Sequence, residues 1–284
     1  MTPPSEEGNS MTDATRRPTS AVPATSPSPR GGSADAVISV TDVSLSYGPV
    51  LAAHDLTFDV HAGEFVSLIG PSGCGKSTAL RAIGGLLAPQ AGSVVVNGTP
   101  VTGPRPTEIS FVFQDLALYP WRSARRNVEI ALQFAGVSAR ERRARAMDAL
   151  HAVGLGDVGD RFPSQLSGGM QQRVAIARAL VSDARILLLD EPFAALDEQT
   201  RLKLGGQLLT LLEEHGKTVV FVTHSLSEAA YLSDRIVVMG PRPATIKDTI
   251  TVPLARPRHP SSMREPEFHS LTDQLTGLLY DDAN

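Results

Sequence analysis

Residues 65–78 read Phe65 Val66 Ser67 Leu68 Ile69 Gly70 Pro71 Ser72 Gly73 Cys74 Gly75 Lys76 Ser77 Thr78. A short apolar run leads into a glycine-rich turn, and helical periodicity continues from Thr78 to Leu87, so the order strand, loop, helix is predicted here. From Gly70 to Ser77 the stretch fits G-x-x-x-x-G-K-[S/T]. Glycines let a backbone wrap closely around phosphate oxygens, and the exposed N–H groups and helix N-terminus supply positive potential. In such a loop Lys76 reaches the β and γ phosphates of a nucleotide and the Ser77 hydroxyl binds Mg²⁺. Cys74 occupies a variable position and reads as a small filler.

Either side of this loop the texture is α/β. Strand-like runs at Val37–Tyr47, Leu56–Val60 and Ser93–Val96 suggest an antiparallel β flank on the N-terminal side. Further runs at Ile109–Phe113, Ile186–Leu189, Thr218–Val222 and Arg235–Met239 alternate with helix-period segments. Between Ser123 and Gly154 the pattern is mainly helical, and Ser138–Leu155 carries Arg140, Arg142, Arg143 and Arg145 on what reads as a solvated helix face. After residue 245 a strand over Thr245–Val252, a proline-rich crossing and a helix near Glu265–Leu279 are expected, with Phe268, Leu271, Leu275 and Leu278 on one face.

Composition limits the function classes. The 284 residues carry 26 basic and 30 acidic side chains, a formal net charge of −4, so no general attraction to nucleic acid is built in. One cysteine makes neither an internal disulfide nor a multi-cysteine metal site. No run approaches the ~18 consecutive apolar residues of a membrane span, and the chain reads by itself as a soluble cytosolic protein. Residues 1–36 hold six Pro, six Ser, five Thr and three Gly and no Leu, Ile, Phe, Tyr or Trp, the composition of a disordered tail. Arg16 and Arg17 are not followed by the apolar stretch of an export signal, and Met11 serves equally well as a start.

The run Ile186 Leu187 Leu188 Leu189 Asp190 Glu191 supplies the second half of a nucleotide site, a buried strand ending in two carboxylates. Strand alternation is expected to point them differently, so that Asp190 holds the Mg²⁺ shell and Glu191 faces an attacking water.

Two further stretches identify a family. Leu166 Ser167 Gly168 Gly169 Met170 Gln171 Gln172 Arg173 precedes the Asp190 strand, and His224 follows the strand Thr218–Val222. With the phosphate loop and the Asp190 Glu191 pair, these resemble the motifs of the nucleotide-binding subunit of ABC transporters, in the family's order, from about Val37 to Pro243. Met170 stands where the family signature carries Gln, a variant common among its importer ATPases. The resemblance implies a P-loop NTPase core with a helical signature subdomain at about residues 115–180. It divides the chain into the tail 1–36, the ATPase domain 37–244 and a C-terminal extension 245–284.

Carried over position by position, the resemblance implies that ATP is held by Gly70, Pro71, Ser72, Gly73, Cys74, Gly75, Lys76, Ser77 and Thr78, with Tyr47 stacked on adenine. Gln114 matches the glutamine that contacts Mg²⁺ or the lytic water and senses the membrane partner. His224 matches the switch histidine, and Asp197, in Ala194 Ala195 Leu196 Asp197, the D-loop. The metal set is Ser77, Gln114 and Asp190, and the catalytic set Glu191, His224 and Gln114. Ser167, Gly168 and Gly169 are expected to reach the ATP of an opposing subunit, so the chain works as a homodimer sandwiching two ATPs. Two transmembrane permease subunits, and through them an extracytoplasmic solute-binding protein, are the implied partners at the cytoplasmic face of the membrane; nucleic acid is not.

Tyr119 Pro120 Trp121, Gly240 Pro241 Arg242 Pro243 and Ala255 Arg256 Pro257 Arg258 resemble the importer ATPases for nitrate, sulfonate and taurine. The Arg-Pro pairs otherwise read as solvated extended segments. A non-transport ABC ATPase acting on DNA or ribosomes would need coiled-coil insertions, zinc-binding cysteines or a second cassette, and a standalone P-loop kinase or GTPase would not carry the Ser167 signature with His224.

Overall fold

The computed structural model describes residues 36–280. The reading of residues 1–36 as a disordered tail lies outside the described residues except for Ala36, which pairs with His61 at the start of the first strand. The elements in chain order are β1 (Ala36–Tyr47), β2 (Val50–His61), β3 (Phe65–Ile69), α1 (Lys76–Ile83), β4 (Ala91–Val96), β5 (Thr99–Pro100), β6 (Ile109–Val112), α2 (Ala124–Phe134), α3 (Ala139–Ala152), α4 (Gly168–Leu180), β7 (Ile186–Asp190), α5 (Glu198–His215), β8 (Thr218–Val222), α6 (Leu226–Leu232), β9 (Arg235–Met239), β10 (Ile246–Thr251) and α7 (Pro266–Tyr280).

Ten strands form two sheets among the described residues. The antiparallel flank runs β2-β1-β4-β5 and the second sheet runs β10-β9-β3-β8-β7-β6, parallel except for β10. The second sheet is covered on both faces, which explains its continuous apolar strands. Along β3, β7, β8 and β9 alternate residues divide between two cores. Phe65, Ile69, Leu187, Leu189, Val219, Phe221, Ile236 and Val238 face the core shared with α2 to α7. Val66, Leu68, Ile186, Leu188, Val220, Val222, Val237 and Met239 face the core shared with α1 and the antiparallel sheet. Strand β2 is longer than the expected Leu56–Val60, because Ala52 and Ala53 are buried and carry the pairing back to Val50. The two-residue β5 was not anticipated; a strand that short has no periodicity to read.

Helices α2, α3 and α4 pack on one another through Val128, Leu132, Ala146, Leu150, Val174 and Ala177. The α3 arginines are only partly a solvated face: Arg142 donates to the Val137 carbonyl at 2.8 Å, and Arg145 donates to the Val181 carbonyl at 2.9 Å and pairs with Asp183 at 2.6 Å. The fully buried Asn127 amide accepts from the Tyr119 N–H and donates to the carbonyls of Tyr119, Arg122 and Ser123, fixing the turn that carries Pro120 and exposed Trp121.

The C-terminal segment folds back onto the core. Arg258 is 7% exposed and donates to the carbonyls of Tyr231, Ser233 and Leu254, while Arg256 pairs with Asp234 and Glu213. The expectation of a solvated segment at Arg256 and Arg258 is therefore corrected: both guanidiniums satisfy backbone or carboxylate acceptors that would otherwise be left where the extension meets α5 and α6. Burial, with the Arg256 charge second, brings Arg258 down to about 10. Helix α7 buries Phe268, Leu271 and Leu275 against the same core.

If α7 is held by this apolar face, Leu275→Ala, at a position 0% exposed, should cost about 2–5 kcal/mol of unfolding free energy in urea titrations. Tyr280→Ala, at a position 64% exposed, should change it by less than about 0.5 kcal/mol.

Candidate functional site

The C-terminal ends of β3, β7 and β8 lie side by side, with Leu68 opposite Val222 and Asp190 opposite Val222 in the parallel ladders. Each strand end therefore delivers its following residues to one edge of the sheet. The loop after β3 is Gly70–Gly75, and α1 begins at Lys76. Helices α2 to α6 are capped by the side chains of Ser123, Ser138, Ser167, Asp197 and Ser225. Helix α1 is preceded by Gly75, which offers no side-chain cap, so its first-turn N–H groups are available to an anion. Two glycines are required by geometry. A Cβ on Gly70 would stand 2.7 Å from the Met239 carbonyl oxygen, and Gly75 has φ +120° with the Ala52 carbonyl 3.0 Å from where its Cβ would be.

Lys76 is buried, and its ammonium donates to the carbonyls of Gly70 at 2.8 Å and Pro71 at 2.9 Å, which holds it over the loop. The Ser77 hydroxyl donates to Asp190 Oδ1 at 2.7 Å. Asp190 is 1% exposed, and burial raises its carboxyl above the ordinary value against the lowering effect of the Ser77 bond. Cys74 is buried beneath the loop, where desolvation raises its thiol, in keeping with a filler. Thr78 is buried in the first turn of α1.

Glu191 lies one residue beyond β7 at φ +47°, left-handed backbone that a non-glycine residue seldom adopts. Its divergence from Asp190 thus comes from the chain leaving the strand, and not from strand alternation as expected. The Glu191 N–H donates to the Val222 carbonyl at 3.0 Å, tying the reversal to β8. Its carboxylate oxygen Oε2 is approached by Gln114 Nε2 and by His224 Nδ1, each at 3.5 Å. Tyr47 is 43% exposed and its hydroxyl accepts from Arg81 of α1 at 2.9 Å.

An open cleft of about 620 Å³ is lined by Tyr47, Ala52, Ser72, Gly73, Gly75, Lys76, Ser77, Thr78, Gln114, Glu191, His224 and Arg242, while Gly70, Pro71, Cys74 and the buried Asp190, which is bonded to Ser77, are not part of its lining. A phosphate loop, a buried carboxylate with a hydroxyl beside it, and a second carboxylate met by an amide and an imidazole can bind a polyphosphate and polarise a water against it. Among the described residues no cluster of three or more His, Cys, Asp or Glu gathers. A cation there would be held by Ser77, Asp190 and Gln114, an oxygen donor set with one carboxylate that suits Mg²⁺ shared with phosphates.

Ser167, Gly168, Gly169 and Asp197 do not line this cleft. Ser167 caps α4, accepting from the Met170 N–H at 3.3 Å, and Gly169 packs against Ala195 and Leu196. Asp197 caps α5, accepting from the Thr200 N–H at 2.9 Å, and that bond holds its carboxyl below the ordinary value. Arg242, read only as part of a turn, lines the cleft and donates to the Leu51 carbonyl at 3.4 Å; nothing local in a Pro-Arg-Pro stretch indicates that β10 folding back would bring it there. Glu228 was also missed. It accepts from Thr223, next to His224, and pairs with Arg201 at 3.2 Å, which in turn donates to the Leu196 carbonyl at 3.1 Å. Burial raises the Glu228 carboxyl above its ordinary 4.5, opposed by the Thr223 bond and the Arg201 charge.

A family model described as ABC transporter matches residues 53–194. The chain is 41% identical over 238 residues to the taurine import ATP-binding protein of Jannaschia sp., spanning 82% of this chain and 88% of that protein. It is 42% identical over 236 residues to the nitrate import ATP-binding protein of Synechococcus elongatus, spanning 82% of this chain and 36% of that longer protein. A solved dimeric ATP-binding cassette in a post-hydrolysis state bound to ADP and Pi matches with TM-score 0.71 and 36% identity, covering 77% of this chain and 100% of that one.

Because the folded-state pKa of Glu228 is raised, its stabilising effect is complete below the unfolded value and is lost as pH rises through the folded one. Glu228→Gln should therefore be more destabilising at pH ~4 than at pH ~7, as read from urea midpoints of the two proteins across that range.

Proposed function

The chain belongs to the ABC transporter family of ATP-binding proteins, and on that premise we propose that it is the ATP-hydrolysing subunit that powers a solute importer. The observation that carries the chemistry is the meeting of Gln114 and His224 on one oxygen of Glu191, in the same cleft as Lys76 and the phosphate loop.

In the proposed reaction, water attacks the γ-phosphate in line with the leaving β-phosphate oxygen. Glu191 accepts a hydrogen bond from that water and raises its nucleophilicity, while Gln114 and His224 hold the carboxylate and the water in register. The Lys76 ammonium and the uncapped N–H groups of α1 face the charge that develops on the phosphates. Mg²⁺, when bound through Ser77, Asp190 and Gln114, would neutralise part of the phosphate charge. Its placement is favoured by Asp190, a buried carboxylate that desolvation would otherwise leave reluctant to ionise.

The site is completed by a second copy. Ser167 sits at the N-terminus of α4 outside the cleft of its own chain, so a symmetric head-to-tail dimer is the arrangement in which its hydroxyl and helix end serve a nucleotide held by the opposing Lys76. ATP would close such a dimer and hydrolysis reopen it, which is the two-state element a transporter uses. No described helix is long and apolar enough to cross a membrane. The spans would come from two permease subunits, with the ATPase bound at their cytoplasmic face and a solute-binding protein on the far side. Nitrate, an aliphatic sulfonate or taurine is the proposed solute class, supported by the Pro120 Trp121 turn, the Pro-Arg-Pro turn and the names of the taurine and nitrate relatives.

Glu191→Gln should retain ATP binding and accumulate an ATP-bound dimer in size-exclusion chromatography, while phosphate release falls by a factor of about 100 or more; hydrolysis at the wild-type rate would refute the assignment. For the solute, the protein should co-purify with its permease and binding protein. That binding protein should be stabilised in a thermal shift assay by taurine, sulfonates or nitrate, and stabilisation by sugars or amino acids alone would be the contrary result.

A further inference from the structure

Gln172 lies three residues beyond Gly169, the last residue of the signature stretch assigned to nucleotide, yet its side chain is 3% exposed and both ends of its amide are engaged. Nε2 donates to the Glu191 carbonyl at 3.1 Å, and Oε1 accepts from the Ala195 N–H at 2.9 Å. The two partners dictate the chemistry, since a carbonyl can only accept and a backbone N–H can only donate. The position needs one donor and one acceptor on a planar fork, which a glutamine amide supplies and a glutamate carboxylate does not.

What the fork holds is the least comfortable backbone in the site. Glu191 at φ +47° persists only where surrounding bonds over-determine it. Its N–H is tied to Val222, and its carbonyl accepts from Ala194 at 3.2 Å within the turn and from Gln172 across to α4. Gln172 alone among these anchors comes from the helix that begins at Ser167, whose neighbour Gly169 packs on Ala195 and Leu196.

We propose that Gln172 is a positioning residue for hydrolysis: its amide clamps the turn from Glu191 to Ala195 to the signature helix, aiming the Glu191 carboxylate at Gln114 and His224. The clamp makes the orientation of Glu191 depend on where α4 stands, so engagement of Ser167 with a second copy and alignment of Glu191 in the same copy become one event. This rests on the reading of Glu191 as the group that polarises water.

The test uses the full chain, with Gln172→Ala and Gln172→Glu made in the wild-type and Glu191→Gln backgrounds, and measures phosphate release against ATP concentration, equilibrium ATP binding and melting temperature. Gln172→Ala should lower kcat about 10- to 100-fold with KM and ATP affinity little changed. Gln172→Glu, which can accept from Ala195 but cannot donate to Glu191, should fall with it, and it reports separately if the alanine variant folds poorly. In the Glu191→Gln background neither change should lower the residual rate further, because there is no carboxylate left to aim. A kcat within about twofold of wild type for both variants, a loss of ATP affinity equal to the loss of rate, or losses that simply add to that of Glu191→Gln would overturn the clamp. Wild-type hydrolysis by Glu191→Gln alone would instead overturn the role of Glu191 beneath it.

Discussion

Three neighbouring parallel strands, β3, β8 and β7, end at one edge of a sheet whose two faces are both buried, and the site depends on that register. The pairing of Leu68 with Val222 and of Val222 with Asp190 puts the glycine-rich loop, His224 and the two carboxylates within reach of each other. The register is robust because every residue of β3, β7 and β8 is buried, so a slip by one position would send the residues of each core into the other. The hydrogen bond from Ser77 to Asp190 joins a helix on one strand end to the end of the next but one, which is possible only with the strands aligned.

Around this rigid edge the functional groups are held by loops, and the loops are held by side chains from elsewhere. Asn127 fixes the Tyr119–Ser123 turn, Arg178 of α4 donates to the Leu116 and Ala117 carbonyls beyond Gln114, and Gln172 of the same helix grips the turn after Glu191. Glu228 and Arg201 link the His224 loop to the segment before α5. Asn127, Arg178, Gln172 and Arg201 are buried or half-buried polar groups that bond to backbone, while Glu228 bonds to the Thr223 and Arg201 side chains, an arrangement that orients a loop without adding a strand to it. Helix α4 thereby contacts the segments carrying Gln114 and Glu191 while Ser167, at its own N-terminus, is not among the residues that line the cleft.

The residues of the sequence were sufficient wherever a feature is local. Gly70 to Ser77 specify their loop because glycine conformation, helix polarity and Lys76 lie within a few positions, and the apolar runs at Ile186 and Thr218 specify strands buried on both faces because no polar residue interrupts them. The serine caps of α2, α3 and α4 also act within three residues of themselves. Of the amphipathic stripe of α7, Phe268, Leu271 and Leu275 are buried and Leu278 is half-buried at its edge.

Other features depend on residues distant in sequence, and for these local pattern carries no information. Strand alternation suggested how Asp190 and Glu191 diverge, but the divergence comes from a left-handed residue stabilised by β8 and α4. The inward turn of Arg256 and Arg258, the arrival of Arg242 at the cleft and the two-ended grip of Gln172 likewise depend on partners tens of residues away. The sequence alone determined that a glycine-rich loop with Lys76 and Ser77, a carboxylate pair at a strand end, Gln114 and His224 would be present, since chemistry and short-range backbone preference are written residue by residue. Only the tertiary structure decided how those groups are aimed, because aim is set by hydrogen bonds and packing between segments that meet only when the chain has folded.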